Sequence, residues 1–157
     1  MILSLEDAPS TAGASQATWD DLLNLLRRSD LPVDDLDRGD LGGFVLLRRD
    51  GRLVGSGALE VYGPLALIRS VAVDATERGN GLGRRIVEHL EARAASERLT
   101  SLYLLTTTAE AFFHRLGYRI MSRDEAPPAI RETTQFSSLC PDTAAFMGKD
   151  LLRDRGS

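Results

Sequence analysis

Apolar positions along the chain alternate between a period of two and a period of three to four, and each switch delimits a predicted element. Met1 to Glu6 is short and apolar enough for an opening strand, and Pro9 to Ala14 is rich in turn residues. Trp19, Leu22, Leu23 and Leu26 recur at helical spacing, while Thr18, followed three residues later by Asp21, resembles a capping signal. Ser29 to Pro32 ends that helix. The acidic stretch Asp34 to Asp40 fits a short helix or a loop, and Gly42-Gly43 leads into a strand over Phe44 to Arg48.

Asp50-Gly51 separates Phe44-Val45-Leu46-Leu47 from Leu53-Val54, the pattern of a two-residue hairpin turn in which glycine accepts a positive φ. The next strand runs through Val61, Tyr62-Gly63-Pro64 turns the chain, and Leu65 to Val73 is a third apolar strand, so an antiparallel meander is expected. Leu82, Ile86, Leu90 and Ala94, with Val87 beside them, mark one face of a long helix ending near Glu97. Leu102 to Thr106 reads as a buried strand. Thr107 with Glu110 is expected to cap a further helix, whose apolar side is Phe112, Phe113 and Leu116 and which Gly117 stops. The order is strand, helix, three or more strands, helix, strand, helix, strand.

Length and composition narrow the picture. A chain of 157 residues, 43% hydrophobic and 27% charged, matches one soluble domain able to bury a core. A single domain over residues 1–152 is expected, with a frayed tail at 153–157. No apolar run reaches the roughly 20 residues of a membrane span. The first residues lack a basic segment ahead of an apolar stretch, so a cytoplasmic location without membrane attachment is expected. Cys140 is the only cysteine, which leaves neither an internal disulfide nor a zinc set. A net charge of -4 argues against broad nucleic-acid binding, yet Arg78, Arg84 and Arg85 cluster in one glycine-rich stretch, as a polyanionic small molecule would require.

That stretch, Arg78-Gly79-Asn80-Gly81-Leu82-Gly83-Arg84, joins a strand to a helix, where backbone N–H groups without intrahelical partners converge. Glycines at 79, 81 and 83 remove the β-carbons that would keep a phosphate from the main chain, and the helix dipole favours an anion there. A dinucleotide fold would place such a loop after the first strand of a parallel unit, and a phosphate-binding P-loop would need lysine followed by serine or threonine. Arg84-Arg85 and the preceding meander satisfy neither.

Ser70-Val71-Ala72-Val73-Asp74 followed by R-x-x-G-x-G from Arg78 to Gly83 resembles the acetyl-CoA signature of the GNAT acetyltransferase superfamily, and Phe112-Phe113-His114-Arg115-Leu116-Gly117-Tyr118 is similar to its later helix and strand start. The resemblance implies an α+β fold with α/β/α layers and a mixed, mostly antiparallel sheet of six or seven strands whose central strands splay. It also implies acetyl-CoA as co-substrate, no metal, and a homodimer. Val71, Ala72 and Val73 would serve the pantetheine arm, with the Val71 backbone N–H facing the thioester carbonyl. The amides of Arg78, Gly79, Asn80, Gly81, Leu82, Gly83 and Arg84 would hold the pyrophosphate, and Thr107, Phe112, Phe113 and Arg115 would add contacts to the same cofactor.

Acetyl transfer to an amine needs a base for the ammonium and an acid for the thiolate. Glu60, at the end of the strand beside the presumed acetyl-CoA strand, is the expected base; a solvated strand-end glutamate is the alternative. Phe113 stands where the family often has a tyrosine donor, which leaves Tyr103, His114, Tyr118 or water. Trp19, Leu22 and Leu26 are read as core.

Gly57 to Gly63, Leu104 to Phe113, and the tail Ala129-Ile130-Arg131 through Phe136 to Cys140-Pro141 resemble the arsenic-resistance-associated N-acetyltransferases, which implies detoxification of an amine-bearing organoarsenical. Arg131 could equally pair an acidic acceptor, as in amino-acid acetyltransferases. Two rivals stay open: a protein-directed acetyltransferase with Asp34, Asp35, Asp37 and Asp40 lining an acidic groove, and a non-catalytic acetyl-CoA-binding module.

Overall fold

A computed structural model describes residues 2–8, 16–134, 136–137 and 144–152. In chain order the elements are β1 (Leu3–Asp7), α1 (Gln16–Arg28), a 3-10 turn (Arg38–Gly43), β2 (Phe44–Arg49), β3 (Arg52–Tyr62), β4 (Leu65–Val73), a 3-10 turn (Ala75–Glu77), α2 (Leu82–Ser96), β5 (Ser101–Thr106), α3 (Glu110–Arg115), β6 (Arg119–Met121), a 3-10 turn (Arg123–Glu125), α4 (Pro128–Arg131) and β7 (Ala145–Asp150). Seven strands form one mixed sheet in the order β1-β2-β3-β4-β5-β7-β6. β1 with β2, β2 with β3, β5 with β7 and β6 with β7 are antiparallel, and β4 with β5 is parallel. The expected sheet of six or seven mixed strands is present.

The β2–β3 turn is tight because Asp50 and Gly51 take φ of 51° and 84°, the two left-handed residues that match the natural twist of a hairpin. Parallel pairing of β4 with β5 runs from Leu65↔Ser101 to Ile68↔Leu104 and stops, although β4 continues to Val73 and β5 to Thr106. The β4 residues beyond the last pair run from Arg69 to Val73, and the acetyl-CoA signature begins among them at Ser70.

The chain divides into two compact units, Met1–Leu59 with Ser70–Leu90, and Glu60–Arg69 with Glu91–Ser157. In the first, Trp19, Leu22, Leu25 and Leu26 of α1 are buried with Leu41, Phe44, Leu46, Leu53 and Ala72, so the α1 stripe is core as its spacing indicated. Gly57 has a steric reason: a β-carbon there would lie 2.6 Å from Ile86 Cγ2 and 3.0 Å from Leu90 Cδ1, so α2 packs directly on the bare backbone of β3. In the second unit Leu67, Ala126, Ile130 and Phe146 form the core, with Tyr62, Tyr103, Leu105, Met121 and Phe136 packed against it.

Three local expectations need correction. Thr18 lies inside α1, which already includes Gln16, so Thr18 does not cap it. α3 is preceded by Ala109 with no side-chain cap; the hydroxyl of Thr106, not Thr107, accepts the Ala109 amide at 2.9 Å. β7, which no pattern singled out, inserts between β5 and β6. The turn-rich stretch at Pro9 to Ala14, together with Cys140 and the tail at 153–157, falls outside the described residues.

Candidate functional site

The cofactor signature begins at an irregular point in β4. Ser70 has φ of 58°, a left-handed conformation inside a strand that costs a non-glycine residue about 1–3 kcal/mol. Its carbonyl accepts a hydrogen bond from the Ser56 hydroxyl at 2.8 Å, and both serines are buried. Val71, Ala72 and Val73 follow, and the Asp74 amide donates to Val54 O at 2.7 Å.

Asp74 then caps the turn Ala75–Glu77, accepting from the Thr76 amide at 3.2 Å and the Thr76 hydroxyl at 3.1 Å. Arg28 and Arg52 approach its other oxygen at 3.3 and 3.8 Å. The Thr76 amide is the main cause holding this carboxyl below its ordinary range; burial opposes it, and the Thr76 hydroxyl, Arg28 and Arg52 assist.

The loop is braced from within. Arg78 Nε donates to Val73 O at 3.0 Å and Asn80 Nδ2 to Glu77 O at 3.2 Å. Gly79 and Gly81 take φ of 87° and 74°, and a β-carbon at either would meet nothing within 4 Å. Backbone conformation therefore requires these glycines, and the space beside them is open, as a bulky anion needs. Gly83, like Leu82, lies in the first turn of α2. The first bond into that helix is Arg85 N to Gly81 O at 3.2 Å. The amides of Leu82, Gly83 and Arg84 thus precede the hydrogen-bonded turn and offer donors to a diphosphate. Arg78, Arg84 and Arg85 are exposed around them.

In the second unit, Glu60 is not a solvated strand end. Its Oε1 accepts from Arg69 Nη1 at 2.7 Å and its Oε2 from the Tyr62 hydroxyl at 2.5 Å. The Arg69 side chain is 1% exposed and that of Glu60 27%. A buried guanidinium requires a fixed counter-charge, so Glu60 holds Arg69 in place while Tyr62 orients its second oxygen. Arg69 and Tyr62 were not among the expected site residues. The signal for Arg69 was its charge within the run Leu65 to Val73, which is apolar apart from it and Ser70; nothing local marks Tyr62.

The proton-donor candidates separate clearly. Tyr118 is buried, and its hydroxyl donates to Glu91 Oε2 at 2.7 Å, an oxygen it shares with Lys149 Nζ at 3.1 Å. That hydroxyl is committed to a structural network. His114 is exposed on α3, as are Thr107 before it and Arg115 at its end. Tyr103 is half-buried and stacked on Phe146, with ring centroids 5.7 Å apart and planes inclined by 10°. Phe113 is buried edge-on between Phe112 and Tyr118, at 5.0 and 5.6 Å, a setting that suits an apolar ring.

Two residues of the acidic stretch cap one turn together. Asp37 Oδ1 accepts from Gly39 N at 2.8 Å and Asp40 Oδ2 from Asp37 N at 2.9 Å, a reciprocal cap of the turn Arg38–Gly43. Arg131 donates to the carbonyl of Asp124. Among the described residues no group of three or more His, Cys, Asp or Glu side chains is arranged to hold a metal ion, and no helix is long and apolar enough to cross a membrane.

The model of the acetyltransferase (GNAT) family matches residues 8–118, well over half of the chain, and the chain belongs to that family. An amino-acid acetyltransferase of Ralstonia nicotianae is 34% identical over 98 residues, covering 59% of this chain and 21% of the relative. An uncharacterized N-acetyltransferase of Chlorobaculum tepidum is 35% identical over 104 residues, 65% of this chain and 64% of the relative. The chain thus spans between a fifth and two-thirds of these relatives. The N-acetylglutamate synthase of Neisseria gonorrhoeae, solved with coenzyme A and N-acetyl-glutamate, superposes with a TM-score of 0.78 at 20% identity, over 96% of this chain and 35% of that one. A Mycobacterium tuberculosis protein solved with coenzyme A superposes at 0.76 and 22% identity, over 94% and 98%. These structures establish the shared fold.

Proposed function

We propose that this protein is an N-acetyltransferase that moves the acetyl group of acetyl-CoA onto the amine of a small, amino-acid-like molecule. The observation that carries the reading is the loop itself: left-handed Gly79 and Gly81 deliver the amides of Leu82, Gly83 and Arg84 to one point at the start of a helix. Three orphan donors, a helix dipole and exposed arginines match the diphosphate of coenzyme A. The parallel register of β4 with β5 ends at Ile68↔Leu104, so Val71 lies beyond its last pair, which suits a backbone amide that is to receive the oxyanion.

In the reaction the amine nitrogen attacks the thioester carbonyl. A C–N bond forms, the C–S bond breaks, and coenzyme A leaves as a thiolate. The ammonium must first lose a proton. We assign that proton to Glu60 at Oε2, the oxygen now bonded by the Tyr62 hydroxyl, while Arg69 keeps Oε1 fixed. As the C–N bond forms the nitrogen sheds its second proton; with Phe113 apolar and the Tyr118 hydroxyl bonded to Glu91, that proton passes to the departing thiolate through solvent or through Tyr103.

The acceptor class rests on the relatives named amino-acid acetyltransferases at 34% and 37% identity. An amino-organoarsenical is a variant of the same class, and the resemblance of the segments 57–63, 104–113 and 129–141 points to it. The test is a thiol-release assay across amino acids, amino-organoarsenicals, simple amines and basic peptides. Turnover on amino acids or amino-organoarsenicals is expected. Turnover on peptides alone, or binding of acetyl-CoA without turnover on any acceptor, overturns the reading.

A further inference from the structure

We infer that the ion pair between Glu77 and Arg49 is the positioning device that keeps the diphosphate loop in its binding shape, an inference that rests on the acetyl-CoA reading above. Glu77 is the last residue of the turn before Arg78, and its carboxylate is 10% exposed. Burying a carboxylate is unfavourable unless a partner meets it. Arg49 does, with Nε 2.9 Å from Oε1.

Arg49 stands on rigid ground. It is the last residue of β2, paired with Leu3 of β1 and with Arg52 of β3. Glu77 in turn reaches into the loop through its main chain: its carbonyl accepts from Asn80 Nδ2 at 3.2 Å, and its amide donates to Asp74 O at 2.8 Å. The anchored carboxylate therefore fixes the peptide that sets the course of Arg78 to Gly81. Asp74, three residues earlier, supplies the other attachment through Val54 O, Arg28 and Arg52.

Electrostatics alone argues the other way. A carboxylate one residue from a polyanion site repels the ligand, so its removal should tighten binding. The positioning role predicts weaker binding on the same substitution, and the two signs are opposite. Glu77→Gln keeps the volume and removes the charge, which makes it decisive.

The experiment is titration calorimetry with coenzyme A, paired with steady-state kinetics and thermal melting on the full chain. Glu77→Gln is expected to raise the Kd for coenzyme A and the KM for acetyl-CoA about tenfold, a coupling within the range seen for residues in contact. kcat and the acceptor KM should stay within about twofold. The double exchange Arg49→Glu with Glu77→Arg should recover most of the affinity. Loss of folded protein with an unchanged Kd in the folded fraction marks a purely structural pair and overturns the inference, as does tighter binding. If Glu77→Gln does not fold, Arg49→Lys, which keeps the charge and loses the Nε contact, is read the same way. A wild-type protein that does not bind coenzyme A overturns the acetyl-CoA reading and this inference together; wild-type binding with an unaltered variant overturns this one alone.

Discussion

The hydroxyl of Ser56 on β3 donates to the carbonyl of Ser70 on β4 at 2.8 Å, and Ser70 is the residue whose φ of 58° breaks the regularity of that strand. A buried backbone carbonyl needs a hydrogen-bond donor, and the Ser56 hydroxyl supplies one. The bond therefore stabilises a bend just before Val71, from which the proposed pantetheine contacts follow.

Replacing Ser56 with alanine leaves the Ser70 carbonyl buried without this donor, which costs about 1–3 kcal/mol. Urea unfolding should show a lower midpoint with an unchanged slope. An unaltered midpoint would mean that the bend stands without the hydroxyl. Ser70→Val, which places a β-branched residue at positive φ, should be at least as harmful.

Gly81→Val forces a β-branched side chain into a left-handed conformation, so the loop must rearrange even though no neighbour blocks the β-carbon. The Kd for coenzyme A, measured by calorimetry, should rise at least about tenfold, in line with a backbone penalty of 1–2 kcal/mol or more. Gly79→Asn should lose less than Gly79→Val, because asparagine tolerates that region. Equal losses for both would shift the explanation from backbone conformation to volume.

Glu60→Gln is expected to lower kcat about a hundredfold, at the lower end of what a positioned base contributes, with a smaller change in the KM for acetyl-CoA. Tyr62→Phe should give an intermediate loss. Full turnover by Glu60→Gln near neutral pH removes Glu60 from the proton path and leaves it as the counter-ion of Arg69.

Asp74 links loop geometry to pH. Its folded-state pKa lies below the ordinary 3.8, chiefly through the Thr76 amide. Its contribution to stability is therefore present above the unfolded value and is lost as pH falls through the folded one. The stability gap between the wild type and Asp74→Asn should be constant from pH 6 to about pH 5 and shrink progressively below about pH 4. Urea midpoints at pH 6, 4 and 3 measure it; a gap independent of pH would show that the charge of Asp74 contributes nothing.

By itself the sequence determined the features whose causes are local. Asp50-Gly51 specifies its hairpin because only residues tolerant of positive φ close a two-residue turn. The 3.6-residue spacing of Leu82, Ile86 and Leu90 specifies the buried face of α2, and Gly79 and Gly81 mark a loop that must enter that helix with left-handed residues. Tertiary structure alone decided the rest. Glu60 became a counter-ion because a residue nine positions away on the next strand buries a guanidinium against it. The Tyr118 hydroxyl found its acceptor in Glu91, 27 positions away, and Glu77 its ion-pair partner in Arg49, 28 positions away. β7 lies between β5 and β6, strands that end well before it in the chain. Periodicity and turn chemistry act within a few residues, whereas the pairing of charges and strand edges depends on which distant groups the fold brings within hydrogen-bonding reach.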